Sequence, residues 1–382
     1  MVAETTPVGL DTRTVHFGDT RVPYRFGTDC PDAVAAAVLD ACPDASSAVL
    51  VVDRRALPHA AAVRERLSAH LRVDQYVLDP AERRKTLPEV QAVLDFSVSC
   101  GADRRTVVLA MGGGLAGNVA GLAAALLFRG TRLVHLPTTP VAAFDSVLSL
   151  KQAVNLDGGK NMCGAYHPPA LIVADLAWLR TIPHRELVTG LAEMAKNVLA
   201  VLPAAEGLFL RALDSLADRS PAAYADLCAI GLDAKVPYLA GDPRERGAAL
   251  VFEYGHTAGH ALEFLSGGAL SHGAAVAWGM LVAARISRAR GYGDDLARHR
   301  RLLGPLLIPA ERVRRAVPAG DAVLARTLLR DNKRGYLSCA PDELPMVLLR
   351  AGGGAVPGPG GLPLVPVPVD EVVAAIRAVL AG

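Results

Sequence analysis

The chain has 382 residues, 51% of them hydrophobic and only 5% aromatic, with 40 Lys and Arg against 38 Asp and Glu. That length suggests two or three domains with an aliphatic core, and the near balance of charge excludes a nucleic-acid or anionic-membrane surface as the organising feature. The longest apolar runs, residues 119–128 and 274–284, are too short to span a bilayer.

Residues 1–20 are polar and predict a short strand or an arm; Glu4 and Asp11 replace the basic and apolar regions of a secretory signal. From Ser47 the pattern alternates. SAVLVVD (47–53) reads as a buried strand, 59–70 as a helix, VDQYVLD (73–79) as a strand and 88–100 as a helix. TVVLAM (106–111) is a strand, 117–128 a helix and RLVHLP (132–137) a strand. This alternation predicts an α/β N-terminal domain with a parallel, Rossmann-like sheet. Residues 137–169 hold turn formers with Asp145, Lys151, Lys160 and Asn161 and read as loops suited to an anion. LIVADLAWLRTIP (171–183) closes the first half. Beyond it, 184–202, 205–216, 222–239, 248–265, 272–290 and 295–303 read as helices, so the C-terminal domain is mainly α-helical. Residues 351–369 are rich in Gly and Pro and predict a surface loop before a last helix, 370–380. The domains are expected at 1–182 and 183–382.

Two motifs carry chemistry. GGGLAGN (112–118) follows a strand and opens a helix, with Gly112, Gly114 and Gly117 in G-x-G-x-x-G spacing. Glycines there let the backbone approach a pyrophosphate at a helix N-terminus. No acidic residue follows at the usual distance, which leaves Asp53, at the end of the earlier strand, for the ribose hydroxyls. In VFEYGHTAGHALE, His256, His260 and Glu263 share one helical face, a third histidine arrives at His272, and Glu193 and Lys196 form a charged pair within an apolar helical pattern. The face suits a divalent metal. A Gly-rich packing turn, solvated loops and surface histidines are the bland alternatives. The six cysteines lack a C-x-x-C pair and are expected to be reduced thiols in a cytoplasmic protein. Dinucleotide turn and metal face together suggest alcohol oxidation in a cleft.

GGGLAGNVAG, FRGTRLVHLPTT, DSVLSLKQAVNL, GKNMCGAYHPP, GLAEMAKN, GHTAGHALE and SHGAAVAWGM, in this order, resemble the sugar phosphate cyclases of the dehydroquinate synthase superfamily. The resemblance implies a metal, Zn2+ or Co2+, on Glu193, His256 and His272, with His260 moved to substrate contact or proton shuttle. It implies NAD+ on Asp53, Glu82, Lys85, Gly113, Gly114, Asn118, Thr138, Thr139, Lys160 and Thr181. It assigns the substrate to Arg129, Asp145, Lys151, Asn161, Lys196, Lys235, His260 and Lys333, with Arg129 reaching a phosphate across a homodimer interface. Lys151, Glu253 and His260 are the implied catalytic residues.

The departures select a branch. Ala249 and Glu253 stand where dehydroquinate synthases carry Arg and Asn. Losing the guanidinium fits a substrate without a carboxylate. Glu253 before the metal histidine and the LSLKQAVNL segment are similar to the branch that cyclises glucose 6-phosphate for aminoglycoside antibiotics. That likeness implies transient NAD-dependent oxidation at C4, phosphate elimination, re-reduction, ring opening and aldol closure. Dehydroquinate synthase, a sedoheptulose 7-phosphate cyclase and a metal-dependent polyol dehydrogenase are the alternative activities. The expected partner is a small sugar phosphate, with no nucleic acid and no membrane.

Overall fold

The computed structural model describes residues 9–157, 159–331 and 333–381, with the backbone alone at 217. The chain divides into two compact units. The first runs to Ile182 and takes back Asp218–Cys228 and Leu239–Arg244; the second holds Pro183–Ala217, Ala229–Tyr238 and Glu245–Gly382.

The first unit opens with an antiparallel hairpin, β1 (Asp11–Phe17) and β2 (Thr20–Gly27), and helix α1 (Pro31–Ala41). Residues 1–8 of the expected arm lie outside the described residues, and the second strand and α1 were not anticipated. Then come β3 (Ser47–Asp53), α2 (Leu57–Ser68), β4 (Arg72–Leu78), α3 (Leu87–Ser99), β5 (Val107–Gly112), α4 (Gly114–Leu126) and β6 (Arg132–Pro137). A second hairpin, β7 (Lys151–Leu156) and β8 (Gly159–Tyr166), precedes β9 (Leu171–Asp175). The main sheet has the order β1-β2-β9-β6-β5-β3-β4 and is parallel apart from the β1–β2 edge.

All seven residues of β3 and all six of β5 are buried, as strands covered on both faces must be. Leu50, Val52, Leu109 and Met111 pack toward α1 and α2, whereas Val49, Val51, Val108 and Ala110 pack toward α3 and α4. The side chains alternate across the sheet, so one run of aliphatic residues fills two core layers.

The second unit is built from α5 (His184–Ala200), α6 (Glu206–Ser215), part of α7 (Pro221–Gly241), α8 (His256–Leu265), α9 (His272–Ala289), α10 (Leu296–Leu303), α11 (Ala310–Ala316), α12 (Asp321–Leu328) and α13 (Val369–Ala381). A small ribbon pairs β10 (Glu343–Met346) with β11 (Val365–Pro368). Among the described residues no helix is long and apolar enough to cross a membrane.

Three expectations need correction. Residues 137–169 are not loops throughout, because alternating side chains on 151–156 and 159–166 pair as β7–β8. Residues 351–369 end in β11, whose Val365 and Val367 are buried, so the apolar alternation in VPVP outweighs the proline content. The predicted helix 248–265 is two pieces: a 3-10 turn, Ala248–Glu253, and α8. Gly255, at φ +79°, divides them, and this left-handed conformation makes His256 the first residue of α8.

Candidate functional site

In the first unit the Gly-rich turn joins β5 to α4, whose first amide groups have no helical partner and suit an anion. Thr138 N donates to Gly112 O at 2.9 Å, which holds the end of β6 beside the turn. A pocket here is lined by Gly112, Gly113, Gly114, Asn118, His135 and Lys151, among others. Asp53 ends β3 one strand away, and β3 and β5 are paired up to Val52 and Met111. Burial raises its carboxyl pKa, against the backbone N–H of Arg55 that donates to Oδ1 at 2.8 Å.

Asn118 is a strut. Its amide donates to Gly114 O at 2.7 Å and its carbonyl accepts from Ala153 N at 2.7 Å, tying α4 to β7. Thr139 lies under the turn, and its hydroxyl accepts from Ala142 N at 3.3 Å. Asp145 sits in the π-helical turn Ala142–Ser146. A separate group joins Glu82, Lys85, Lys160 and Asn161: Lys85 Nζ donates to Asn161 Oδ1 at 2.5 Å, and Lys160 Nζ is 4.0 Å from Glu82. Thr181 instead meets His59 Nε2 at 3.1 Å, with the His59 ring stacked on Trp178. Arg129 is exposed on a left-handed turn at φ +70°.

Sequence reasoning missed His135. It is 3% exposed, its Nε2 has no hydrogen-bond partner among the described residues, and burial pushes its pKa down to about 4, so the ring facing this pocket is neutral. Its only signal was a histidine inside an otherwise apolar strand, RLVHLP.

In the second unit, α5, α8 and α9 bring three ligating side chains together. Glu193 Oε1 lies 3.6 Å from His256 Nε2 and 3.3 Å from His272 Nε2. A tetrahedral cation with bonds of roughly 2.0–2.1 Å needs donors about 3.3–3.4 Å apart, so these residues fit a divalent ion. Glu193 is 1% exposed, and Oε1 makes no hydrogen bond of good geometry among the described residues. Burial alone would raise this carboxyl, yet Lys196, His256 and His272 together hold it well below the usual carboxylate range. It is a carboxylate facing a cation site.

Both histidines are oriented through their other nitrogen. His256 Nδ1 lies 3.1 Å from Tyr254 O, and the Tyr254 hydroxyl is anchored 2.7 Å from His299 Nε2. His272 Nδ1 meets Glu263 Oε2 at 2.9 Å. Each Nε2 is thereby left for the metal. His260 is adjacent but outside the trio, with its ring 5.2 Å from that of His256; burial drives its pKa down to about 3.

Four of the expected substrate residues, Lys196, Lys235, His260 and Lys333, belong to the same unit as the trio. Lys196 pairs with Glu193 Oε2, and Lys196 and Lys235 approach the Phe252 ring at 5.9 and 5.5 Å. Lys333, 1% exposed, is 2.8 Å from Asp331 and 3.6 Å from Glu253. Phe252, Asp331 and the Tyr254–His299 anchor had no signature in the sequence.

The signature of the 3-dehydroquinate synthase N-terminal domain matches residues 75–189, and that of its C-terminal domain residues 190–334. The chain belongs to the dehydroquinate synthase family. Within it, a 2-deoxy-scyllo-inosose synthase from Streptomyces fradiae is 45% identical over 95% of this chain and 85% of that protein. A crystal structure of 2-deoxy-scyllo-inosose synthase complexed with carbaglucose-6-phosphate, NAD+ and Co2+ has a TM-score of 0.83 at 31% identity, covering 96% of this chain and 99% of that one. A 2-epi-5-epi-valiolone synthase from Streptomyces hygroscopicus, with NAD+ and Zn2+ bound, has a TM-score of 0.73 at 25% identity, with the same coverage.

Proposed function

We propose that the chain converts D-glucose 6-phosphate to 2-deoxy-scyllo-inosose and phosphate, a step of aminoglycoside antibiotic biosynthesis. The observation that carries this is the Glu193–His256–His272 trio, its Glu193 and His256 buried, flanked by Lys196, Glu253 and Lys333, with apolar Ala249 where dehydroquinate synthases carry Arg. The family relatives named for this product support the same branch.

Residues 1–182 are assigned to NAD+ and 183–382 to metal and sugar. When bound, NAD+ takes up and returns a hydride at one sugar carbon, and a divalent cation, Zn2+ or Co2+, acidifies the hydroxyl there. The chain's own residues then do the following. Asp53, Glu82, Lys85, Gly113, Gly114, Asn118, Thr138, Thr139, Lys160 and Thr181 hold the cofactor. Lys196, Lys235 and Lys333, with Asp145, Lys151 and Asn161, bind the sugar and its anionic group by charge-assisted hydrogen bonds. Half-buried Glu253 carries a proton during elimination or ring opening, and Lys151 assists the early steps. His260, kept neutral by burial, has one ring nitrogen that donates and one that accepts, as a proton shuttle requires. The enzyme works as a cytoplasmic homodimer, with Arg129 reaching the partner's substrate phosphate.

The test offers glucose 6-phosphate, sedoheptulose 7-phosphate and the dehydroquinate synthase substrate side by side and measures released phosphate. Preference for glucose 6-phosphate is expected; preference for either of the others reassigns the branch. Glu253→Gln should lose most of its turnover, and a variant at the parent rate would remove the role given to Glu253.

A further inference from the structure

Asn155 sits at an irregularity in the β7–β8 hairpin. The pairing register shifts between Val154, which faces Cys163, and Leu156, which faces Gly159. Three residues of β8, Lys160, Asn161 and Met162, therefore stand opposite the single residue Asn155, and the ladder is interrupted there. The backbone N–H of Asn155 donates to Lys85 O at 2.8 Å, in a parallel bridge between Thr86 and Asn155. Its side-chain amide donates to Glu82 Oε1 at 2.8 Å, and its side-chain carbonyl accepts from the backbone N–H of Asn161 at 3.0 Å. Asn161 is itself held at φ +57°, and its own side chain receives Lys85 Nζ.

One residue therefore touches three of the residues assigned to cofactor and sugar, from two stretches more than seventy positions apart in sequence. An amide side chain donates to a carboxylate through its nitrogen while its oxygen accepts from an N–H, so one residue meets both partners at once. Aspartate has the same shape but would set two carboxylates against each other.

We infer that Asn155 is a positioning residue, a clamp that fastens the Glu82–Lys85 segment to the hairpin carrying Lys160 and Asn161. The inference rests on the reading that these residues bind NAD+ and the sugar phosphate. It assigns Asn155 to cofactor affinity and not to the chemical steps.

The experiment is a double-mutant cycle on the full chain, reading the NAD+ dissociation constant by titration calorimetry together with KM and kcat. Asn155→Asp should weaken NAD+ about tenfold or more, the scale of one lost hydrogen bond to a charged group, with kcat at saturating NAD+ little changed. Glu82→Gln restores a donor opposite the introduced carboxylate, so the double variant N155D/E82Q should bind NAD+ no more weakly than E82Q alone. Should N155D fail to fold, Asn155→Ala carries the test with the same expected direction. NAD+ affinity unchanged in the single variant, or losses that simply multiply in the double, would overturn the clamp. A parent chain that binds no NAD+ would instead overturn the cofactor reading and the clamp with it.

Discussion

His272 Nδ1 is hydrogen-bonded to Glu263 Oε2 at 2.9 Å, and Nε2 of the same ring lies 3.3 Å from Glu193. Glu263 thus fixes which nitrogen of His272 faces the metal. Replacing it by Gln leaves the shape but weakens acceptance of the Nδ1–H. Glu263→Gln is expected to lose about 10- to 100-fold in metal affinity while keeping its fold. Competition against a chromogenic chelator for Zn2+ or Co2+ measures this, and parent-like affinity would remove the role.

The same ring sets a pH dependence. In the metal-free protein burial disfavours charge on His272, but the nearby Glu193 and Glu263 carboxylates outweigh burial and push the pKa up to about 10. A bound cation must displace that proton. Apparent metal affinity should therefore rise about tenfold per pH unit from neutral pH toward that value. His256, pushed down by burial, is already neutral and adds no further slope. For the metal-free fold the sign is opposite. The folded pKa exceeds the ordinary value near 6.5, so the contribution of the proton is complete below that value and is lost as pH rises through about 10. Chelator competition and thermal melts across pH read the two effects; metal affinity flat with pH would contradict the protonated His272.

Packing of α8 on α9 depends on bare backbone. A side chain at Gly279 would run into the carbonyl of Gly255 and lie 2.8 Å from Gly259 N, at the turn that launches His256. Gly279→Ala should destabilise the chain by about 1–3 kcal/mol and weaken metal binding, because the overlap is with backbone that cannot rotate away. Thermal unfolding alongside chelator competition checks both; a stable variant with full affinity would show that the helices have room to part.

Lys333 buries a cation against two carboxylates, Asp331 at 2.8 Å and Glu253 at 3.6 Å. Asp331→Asn leaves Glu253 as its charged partner and should cost several kcal/mol at most, in the range for breaking a buried pair. The expected signature is a lower melting temperature with a raised KM for the sugar phosphate. A raised KM without loss of stability would place Asp331 in substrate binding rather than in the fold.

Much of this was legible in the residues. β3 and β5 are uninterrupted aliphatic runs, and only a strand covered on both faces tolerates that, so the parallel sheet was readable. The metal trio was not readable from spacing. His256, His260 and Glu263 do share a helical face, but α8 begins only at His256, and α9 lies against it so that His272 completes the set with Glu193 from α5. Helix periodicity says nothing about which neighbouring helix packs where. Glu263 was noticed as a carboxylate in reach of the metal, and its place behind His272 emerged only from that packing. The β7–β8 hairpin escaped because its turn formers outweighed a short alternation, and with it went Asn155, whose role depends on a bulge that no local pattern marks.

The most direct test follows both product and cofactor when the chain is incubated with glucose 6-phosphate, a trace of NAD+ and a divalent cation. The account predicts one phosphate released per carbocyclic ketone formed, many turnovers per NAD+ and no net NADH. Stoichiometric NADH with an open-chain or pyranose ketone as product would contradict it and make the chain a dehydrogenase.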